Sequence, residues 1–146
     1  MELLNANMDM DVFFDRLHSA SENTLLLDYD GTLAPFHHDP TKALPYSGVT
    51  EILDKLMETP GLRVVIVTGR WIKSLKPLLN LRRQPEIWGS HGLERLMPDG
   101  SYHVDSLGED TLEALVAADE WVASAGFSGK VERKPGSVAL HWRGMD

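Results

Sequence analysis

The chain has 146 residues, a net charge of −8, 42% hydrophobic residues and no cysteine. This length allows one core domain or a core with part of a second, and the lack of cysteine excludes disulfides and thiolate chemistry. The acidic balance disfavours nucleic acid and anionic membranes as partners, because both attract basic surfaces. The acidic N-terminal segment does not resemble a signal peptide, and no apolar run reaches the ~20 residues that span a membrane. We therefore expect a soluble, cytoplasmic protein.

The first part of the chain alternates predicted helices with predicted strands. Apolar residues at helical spacing predict a helix at 9–22. They predict a second helix with Val49, Ile52, Leu53, Leu56 and Met57 on one face, ended by Pro60-Gly61, and a third with Ile72, Leu75, Leu78 and Leu79. Short apolar runs predict buried strands at 24–28 (TLLLD), 62–70 (LRVVIVTGR) and 86–89 (EIWG). Ser47 is the expected N-cap of the second helix. This alternation predicts βαβ units, and therefore an α/β fold with a parallel sheet and helices on its faces.

The pattern changes after residue 92. A hairpin that turns at 98–100 is followed by a helix at 109–125 with Gly126 as its C-cap. The segments KVERK and SVALHWR then alternate like two antiparallel strands joined at Pro135-Gly136. We place a core unit at residues 1–100 and a second, α+β unit at 101–146. The residues expected to face inward are Leu112, Leu115, Val116 and Val122 of the last helix, and packing roles are expected for Trp71, Trp88, Trp121 and Trp142.

Polar residues follow each of the three predicted parallel strands. Because parallel strands end at the same edge of a sheet, these residues are expected to share one crevice. They are Asp28 and Asp30 after the first strand, Thr68, Gly69 and Arg70 after the second, and His91 and Glu94 after the third.

Two carboxylates beside a hydroxyl suit phosphoryl transfer. Asp28 is expected to attack phosphorus, and Asp30 to donate and later accept a proton. Mg²⁺ takes one or two carboxylates together with phosphate oxygens, so it would relieve the repulsion between the two aspartates. Asp-x-Asp-Gly is also compatible with a plain turn, or with a calcium loop, although the later oxygen ligands of such a loop are missing.

The same residues resemble those of a known family. DYDGTL resembles motif I of haloacid dehalogenase superfamily phosphatases, and VTGR resembles motif II. The blocks DYDGTLAP, VTGR, GSHGLE and VERKPGSVALHWR, in this order, are similar to trehalose-6-phosphate phosphatases over residues 24–146. The resemblance implies a Rossmann-like parallel-sheet core of the haloacid dehalogenase type with an inserted α+β cap, both incomplete in this chain.

The resemblance also implies roles. Asp28 matches the nucleophile and first Mg²⁺ ligand, Asp30 the general acid/base whose main-chain carbonyl also ligates the metal, and Thr68 the phosphate-binding hydroxyl. Glu132, Lys134 and Arg143 match the cap residues that grip the disaccharide hydroxyls. Lesser roles are expected for Gly69 and Arg70 at the phosphate, and for His91 and Glu94 at the substrate.

Some of these positions also have structural explanations. Glu132 and Lys134 alternate on a strand and would suit a solvated face, His91 would suit a turn between glycines, and Arg70 would suit an ordinary charge at a strand end. The lysine and acidic loop that follow the cap in such phosphatases do not occur before residue 146. We therefore expect a truncated version or a fragment of a longer protein, which alone is inactive or slow. The function belongs to the full-length protein, and the chain is expected to be a monomer or part of a longer chain.

The expected function is Mg²⁺-dependent hydrolysis of trehalose 6-phosphate through an aspartyl-phosphate, with a small-molecule sugar phosphate as partner. The alternatives are another sugar phosphatase of the superfamily and a non-catalytic sugar-phosphate-binding module.

Overall fold

The computed structural model describes residues 9–141, so Trp142 and Arg143 lie outside the described residues. The helices are α1 (Met10–Ser19), α2 (Val49–Met57), α3 (Ile72–Leu79) and α4 (Glu109–Ser124). The strands are β1 (Asn23–Asp28), β2 (Leu62–Val67), β3 (Glu86–Gly89), β4 (Glu94–Leu96), β5 (Tyr102–Val104), β6 (Val131–Lys134) and β7 (Ser137–Leu140).

Strands β1 to β5 form one sheet in sequence order. The pairs β1–β2 and β2–β3 are parallel, whereas β3–β4 and β4–β5 are antiparallel. The predicted α/β fold with a parallel sheet is therefore confirmed for the three strands that precede the polar clusters. The carboxyl ends of β1, β2 and β3 lie at one edge.

One face of the sheet carries the hydrophobic core, which it shares with α2 and α3. Burial of an aliphatic side chain of this kind stabilises a fold by roughly 1.5–3 kcal/mol. The buried residues include Leu53, Val64, Ile66, Leu75, Leu79, Ile87 and Leu96.

The opposite face of the sheet is covered less within the described residues. Strand β1 was predicted to be buried, but its exposure alternates, and Leu26 is 63% exposed. A strand with one covered face buries every second side chain, so the apolar run of leucines was misleading. The N-cap of α2 is Gly48 at φ 86°, not Ser47, because a left-handed residue precedes the helix.

The hairpin predicted around residues 98–100 joins β4 to β5. Its turn has hydrogen bonds from the amide of Met97 to the carbonyl of Ser101 (2.9 Å) and from the amide of Gly100 to the carbonyl of Met97 (2.9 Å). Because β5 belongs to the five-stranded sheet, a division at residue 100 would cut this hairpin. The division of the chain into two units stays a prediction.

Helix α4 and the β6–β7 pair form the second part of the chain. The predicted antiparallel pair is present, and Gly136 has φ 71° between its strands. Gly126 follows the C-cap residue Ala125 and has φ 80°. Three predicted packing positions of α4 are instead exposed, namely Leu112 (49%), Val116 (59%) and Trp121 (59%).

No helix within residues 9–141 combines the length and the apolar character needed to cross a membrane. The longest described helix, α4, has 16 residues and begins with two acids. The cytoplasmic location stays a prediction.

Candidate active site

One row of side chains crosses the sheet near the carboxyl ends of the parallel strands. The strand register aligns Asp28, Val67, Trp88, Arg95 and His103. Aligned residues of paired strands point to the same face, so this row lies on the face opposite the core. Asp28 therefore belongs to a surface built by five strands.

A cleft of about 780 Å³ opens along this row. It brings together residues from all three parallel strand ends, as the sequence predicted for Asp28, Thr68, Gly69 and His91. The lining residues are Asp28, Val67, Thr68, Gly69, Trp88, His91, Gly92, Leu93, Arg95 and Asp105.

Asp28 and Thr68 supply complementary groups to the cleft. Asp28 is exposed, and its carboxylate has no hydrogen-bond or ion-pair partner within residues 9–141. Thr68 is 3% exposed, and its hydroxyl oxygen accepts a 3.1 Å hydrogen bond from the amide of Arg70. No side-chain or backbone acceptor for the hydroxyl proton occurs in the described part of the chain, so this proton is available to an anion.

A tight turn follows Asp28. The carbonyl of Tyr29 accepts hydrogen bonds from the amides of Leu33 and Ala34, both at 3.0 Å, and the amide of Gly31 donates to the carbonyl of Ala34 at 2.7 Å. Gly31 has φ 87°, and a Cβ there would lie 2.7 Å from the Phe36 ring. The turn therefore requires glycine, and it reverses the chain directly beside Asp30.

Asp30 is held by Arg70. The Nε and Nη2 atoms of Arg70 each donate a 2.7 Å hydrogen bond to a different oxygen of the carboxylate. Such paired bonds are among the strongest that a carboxylate makes, and the bond to Asp30 raises the pKa of Arg70.

The guanidinium of Arg70 also lies 5.3 Å from the centre of the Tyr29 ring. Burial raises the pKa of Tyr29 to about 12.

Arg70 makes three hydrogen bonds with protein groups. Its Nη1 atom donates to the carbonyl of Pro40 at 2.7 Å, while Nε and Nη2 are bound to Asp30. A guanidinium has five N–H donors, so these bonds leave two of them. Arg70 orients Asp30 and compensates the charge of that aspartate, and its contact with phosphate stays a prediction.

His91 lies against Gly69. Both Ser90 (φ 48°) and His91 (φ 58°) have left-handed backbone, which costs a non-glycine residue roughly 1–3 kcal/mol. A Cβ on Gly69 would lie 2.5 Å from the His91 ring. Gly69 therefore allows the close approach that puts the imidazole at the cleft wall.

Glu94 does not face the cleft. Its side chain is fully buried, and its carboxylate accepts hydrogen bonds from the hydroxyl of Ser90, the amide of Ile72 and the hydroxyl of Tyr102. The expected contact with substrate is therefore replaced by contacts within the protein.

Lys134 joins the second part of the chain to the cleft. Its ammonium donates to the carbonyl of Gly69 at 3.1 Å and lies 3.3 Å from Glu132, which also contacts His141 at 3.0 Å. The predicted pair Glu132 and Lys134 thus lies close to the Thr68–Arg70 segment. Arg143, the third predicted cap residue, lies outside the described residues.

Six lining residues were not predicted as site residues, and three of these, Trp88, Arg95 and Asp105, have aromatic or charged side chains. The Arg95 guanidinium stacks 5.0 Å from the centre of the Trp88 ring and lies 3.5 Å from Asp105. Trp88 had been assigned to packing, and Arg95 and Asp105 stand in no recognised block. The signal that would have found them is strand register, since Trp88 and Arg95 align with Asp28.

Metal ligands are few in the described residues. No group of three or more His, Cys, Asp or Glu residues gathers within 9–141 in a way that could hold a metal ion. The carboxylate of Asp28 is an oxygen donor of the kind that hard divalent cations prefer, and it carries no other protein partner among these residues. This part of the chain therefore fits a partial metal site.

Known proteins are similar to this chain in sequence. The model of the trehalose-phosphatase family matches residues 26–142. The trehalose-phosphate phosphatase of Mycobacterium leprae is 34% identical over 134 residues, which cover 87% of this chain and 30% of that protein. The chain thus spans about a third of the length of this curated relative.

Solved structures share the fold. The C-terminal domain of C. albicans trehalose-6-phosphate phosphatase matches with a TM-score of 0.74 at 22% identity, over 93% of this chain and 48% of that one. A haloacid dehalogenase-like hydrolase from B. subtilis matches with a TM-score of 0.51 at 19% identity, over 70% of this chain and 34% of that one. A partial haloacid dehalogenase fold is therefore confirmed.

Proposed function

Because the chain belongs to the trehalose-phosphatase family, we propose that the protein hydrolyses trehalose 6-phosphate to trehalose and inorganic phosphate. The main support is the shared cleft of Asp28 and Thr68, with Asp30 held two residues beyond Asp28. Phosphoryl transfer requires a nucleophile, a proton donor and groups that bind the phosphoryl oxygens, and these residues offer all three.

In the proposed first step, a carboxylate oxygen of Asp28 attacks phosphorus and the bond from phosphorus to the sugar oxygen breaks. Asp30 gives its proton to the departing oxygen, and the Thr68 hydroxyl donates to a phosphoryl oxygen. In the second step, water attacks the aspartyl-phosphate while Asp30 accepts a proton from that water. Phosphate leaves, and both aspartates return to their starting states.

Arg70 holds Asp30 in place for both proton transfers. Its Nε and Nη2 atoms donate to the two oxygens of the Asp30 carboxylate, each at 2.7 Å, so the orientation of this carboxylate beside Asp28 is fixed by the protein.

We propose Mg²⁺ as the cofactor, held by the Asp28 carboxylate and the main-chain carbonyl of Asp30. When bound, it would neutralise the charge of the phosphoryl group. Further ligands would come from substrate oxygens and water, as is usual for this cation.

The substrate's sugar is proposed to contact Glu132, Lys134 and Arg143. Glu132 and Lys134 form an ion pair of 3.3 Å near the Gly69 carbonyl, and such groups are suited to sugar hydroxyls.

We further propose that residues up to Val104 belong to the phosphatase core and that later residues belong to the cap. Another sugar phosphatase activity and a non-catalytic sugar-phosphate-binding module are the alternatives.

The test uses the full-length gene product and a panel of sugar phosphates, with phosphate release as the measurement. We expect release from trehalose 6-phosphate that requires Mg²⁺ and is lost in Asp28→Asn. Preference for another sugar phosphate would favour the first alternative.

Beryllofluoride imitates the phosphoryl group on an aspartate and tests the nucleophile without turnover. With Mg²⁺ it should bind the wild type and not Asp28→Asn, as measured by ¹⁹F NMR. Sugar-phosphate binding that is indifferent to both Mg²⁺ and Asp28 would contradict the proposed enzyme and support the binding module.

A further inference from the structure

Glu94 lies behind the cleft wall and is fully buried. One carboxylate oxygen accepts hydrogen bonds from the hydroxyl of Ser90 and from the amide of Ile72, the latter at 3.3 Å. The other accepts from the hydroxyl of Tyr102 at 2.6 Å. The three donors belong to three different segments, so a single side chain on β4 connects all of them.

The connected segments are those that build the cleft. The amide of Ser90 donates to the carbonyl of Arg70 at 2.8 Å, and the amide of His91 donates to the carbonyl of Thr68 at 3.2 Å. The Ser90–His91 turn is therefore joined to the Thr68–Arg70 segment by backbone hydrogen bonds. Glu94 adds a second connection, because its carboxylate binds both the Ser90 hydroxyl in the turn and the amide of Ile72, which follows the Thr68–Arg70 segment.

The Ser90–His91 turn must be stabilised by contacts with surrounding residues. Ser90 and His91 both have positive φ angles, a conformation that persists only where surrounding contacts enforce it. Gly69 leaves no room for the His91 ring to move toward it, because a Cβ there would already overlap the imidazole. Loss of these stabilising contacts would let the turn relax and move His91 away from Gly69.

The polar side chain of Glu94 argues against a purely packing role. A buried carboxylate is costly unless its oxygens are well hydrogen-bonded, and an apolar side chain would fill the same space without that cost. Glu86 is also buried, but it is paired with the guanidinium of Arg63 at 2.6 Å. Within residues 9–141, Glu94 has no cation partner and is bound only by neutral donors.

We propose that Glu94 is a positioning residue, whose carboxylate holds the Ser90–His91 turn against the Thr68–Arg70 segment and so fixes His91 and Thr68 at the cleft. It acts through Ser90 and Ile72 and does not touch substrate. This inference rests on the proposed function for its effect on catalysis, but not for its effect on the turn.

The first experiment measures amide hydrogen exchange of the 146-residue chain by NMR. Glu94→Gln keeps the size of the side chain but replaces one acceptor oxygen with a donor. We expect the amides of Ser90 and His91 to exchange at least ~10-fold faster than in the wild type, relative to the amide of Ile66 in the core sheet. Ser90→Ala should produce part of this change, and adding it to Glu94→Gln should add little, because both remove the same contact.

The matched control is Leu53→Ala, which alters a residue of α2 that is 2% exposed and remote from the cleft lining. Leu53→Ala destabilises the whole core, so the exchange rates of the Ser90, His91 and Ile66 amides should rise together. If Glu94→Gln accelerates exchange at His91 no more than at Ile66, or if Leu53→Ala gives the same pattern, Glu94 is a core residue only and the proposal is wrong.

The second experiment measures phosphate release by the full-length gene product. Glu94→Gln should lower kcat/KM at least ~10-fold at a temperature where Leu53→Ala, with a similar loss of stability, lowers it less than ~3-fold. Equal losses in the two variants would overturn the catalytic part. Absence of release in the wild type would contradict the proposed function, whereas the exchange experiment would still decide whether Glu94 holds the turn.

Discussion

The guanidinium of Arg70 holds the carboxylate of Asp30 through two hydrogen bonds of 2.7 Å, although the residues are 40 positions apart in the chain. The side chains are 13% and 29% exposed, respectively, so solvent screens this pair less than a surface pair. The contact orients Asp30 and offsets its charge beside Asp28. It also assigns to Arg70 a partner other than phosphate.

Arg70→Lys should therefore impair catalysis more than binding. Lysine keeps the charge but cannot form the two-pronged contact, and general acid/base catalysis contributes roughly 10²–10⁴-fold. We expect kcat of the full-length gene product to fall by at least ~10-fold, with KM changed less than ~3-fold, as measured by steady-state phosphate release.

The control for this variant is Arg63→Lys. Arg63 makes a similar two-pronged contact with Glu86, through bonds of 2.7 and 2.6 Å, but it does not line the cleft. Its kcat should stay near the wild-type value. A rise in KM and in the inhibition constant of free phosphate for Arg70→Lys, with kcat unchanged, would instead indicate direct phosphate binding by Arg70.

Gly69→Ala should displace His91. The added Cβ would lie 2.5 Å from the imidazole, and residues in contact couple energetically by roughly 0.5–3 kcal/mol. We expect Gly69→Ala to weaken beryllofluoride binding by about 10-fold. Adding His91→Ala should restore part of this loss, because it removes the imidazole that the new Cβ meets. Strict additivity of the two effects in a double-mutant cycle would show that the residues do not contact each other.

Tyr29→Phe tests the alkaline stability of the turn. Tyr29 is fully buried, and its hydroxyl donates to the carbonyl of Ala43 at 2.6 Å. The pKa of this phenol is raised from 10.0 to about 12 by burial, so the unfolded chain loses its proton first as the pH rises. The resulting stability is fully present below pH 10 and is lost as the pH rises through about 12.

Urea unfolding at pH 9 and pH 11 measures this effect. At pH 9, Tyr29→Phe should lower the free energy of unfolding by about 1 kcal/mol, the usual net value of a hydrogen bond. Between pH 9 and pH 11 the wild type should lose more stability than the variant. An identical pH dependence in the two proteins would contradict the raised pKa.

Glu86→Gln tests stability at acid pH. The hydrogen bond from Arg63 lowers the pKa of Glu86 from its usual 4.5, so its contribution is present above that pH and is lost as the pH falls through the lowered pKa. The variant should be less stable than the wild type at pH 7, and the difference should shrink toward pH 3. Thermal unfolding at the two pH values measures it, and a constant difference would argue against the ion pair.

Local patterns predicted most of the fold. The apolar patterns around residues 49–57 and 62–70 depend on the chain itself, and α2 and β2 form there, although β2 ends at Val67 and not at residue 70 as predicted. Exposure of a strand or helix depends also on what covers it, which periodicity does not contain. Leu26 of β1 and Val116 of α4 were therefore expected to be buried and are exposed, whereas Val122 of α4 is buried as expected.

The candidate site was predictable only where residues stand at strand ends. Asp28 and Thr68 reach the cleft because parallel strands terminate together, a rule that needs no coordinates. The pairing of Arg70 with Asp30 and the burial of Glu94 depend on side-chain directions across distant segments. Trp88 and Arg95 join the cleft through the pairing of β3 with β2 and with β4, and not through any motif.

The row that begins at Asp28 makes cleft formation a matter of strand alignment during folding. Neighbouring residues of a strand face opposite sides, so a slip of one position between β3 and β4 would turn Arg95 into the hydrophobic interior and push Leu96 outward. The misaligned chain would lose binding and stability at once. Quality control that rejects unstable molecules would therefore also remove those with a defective pocket.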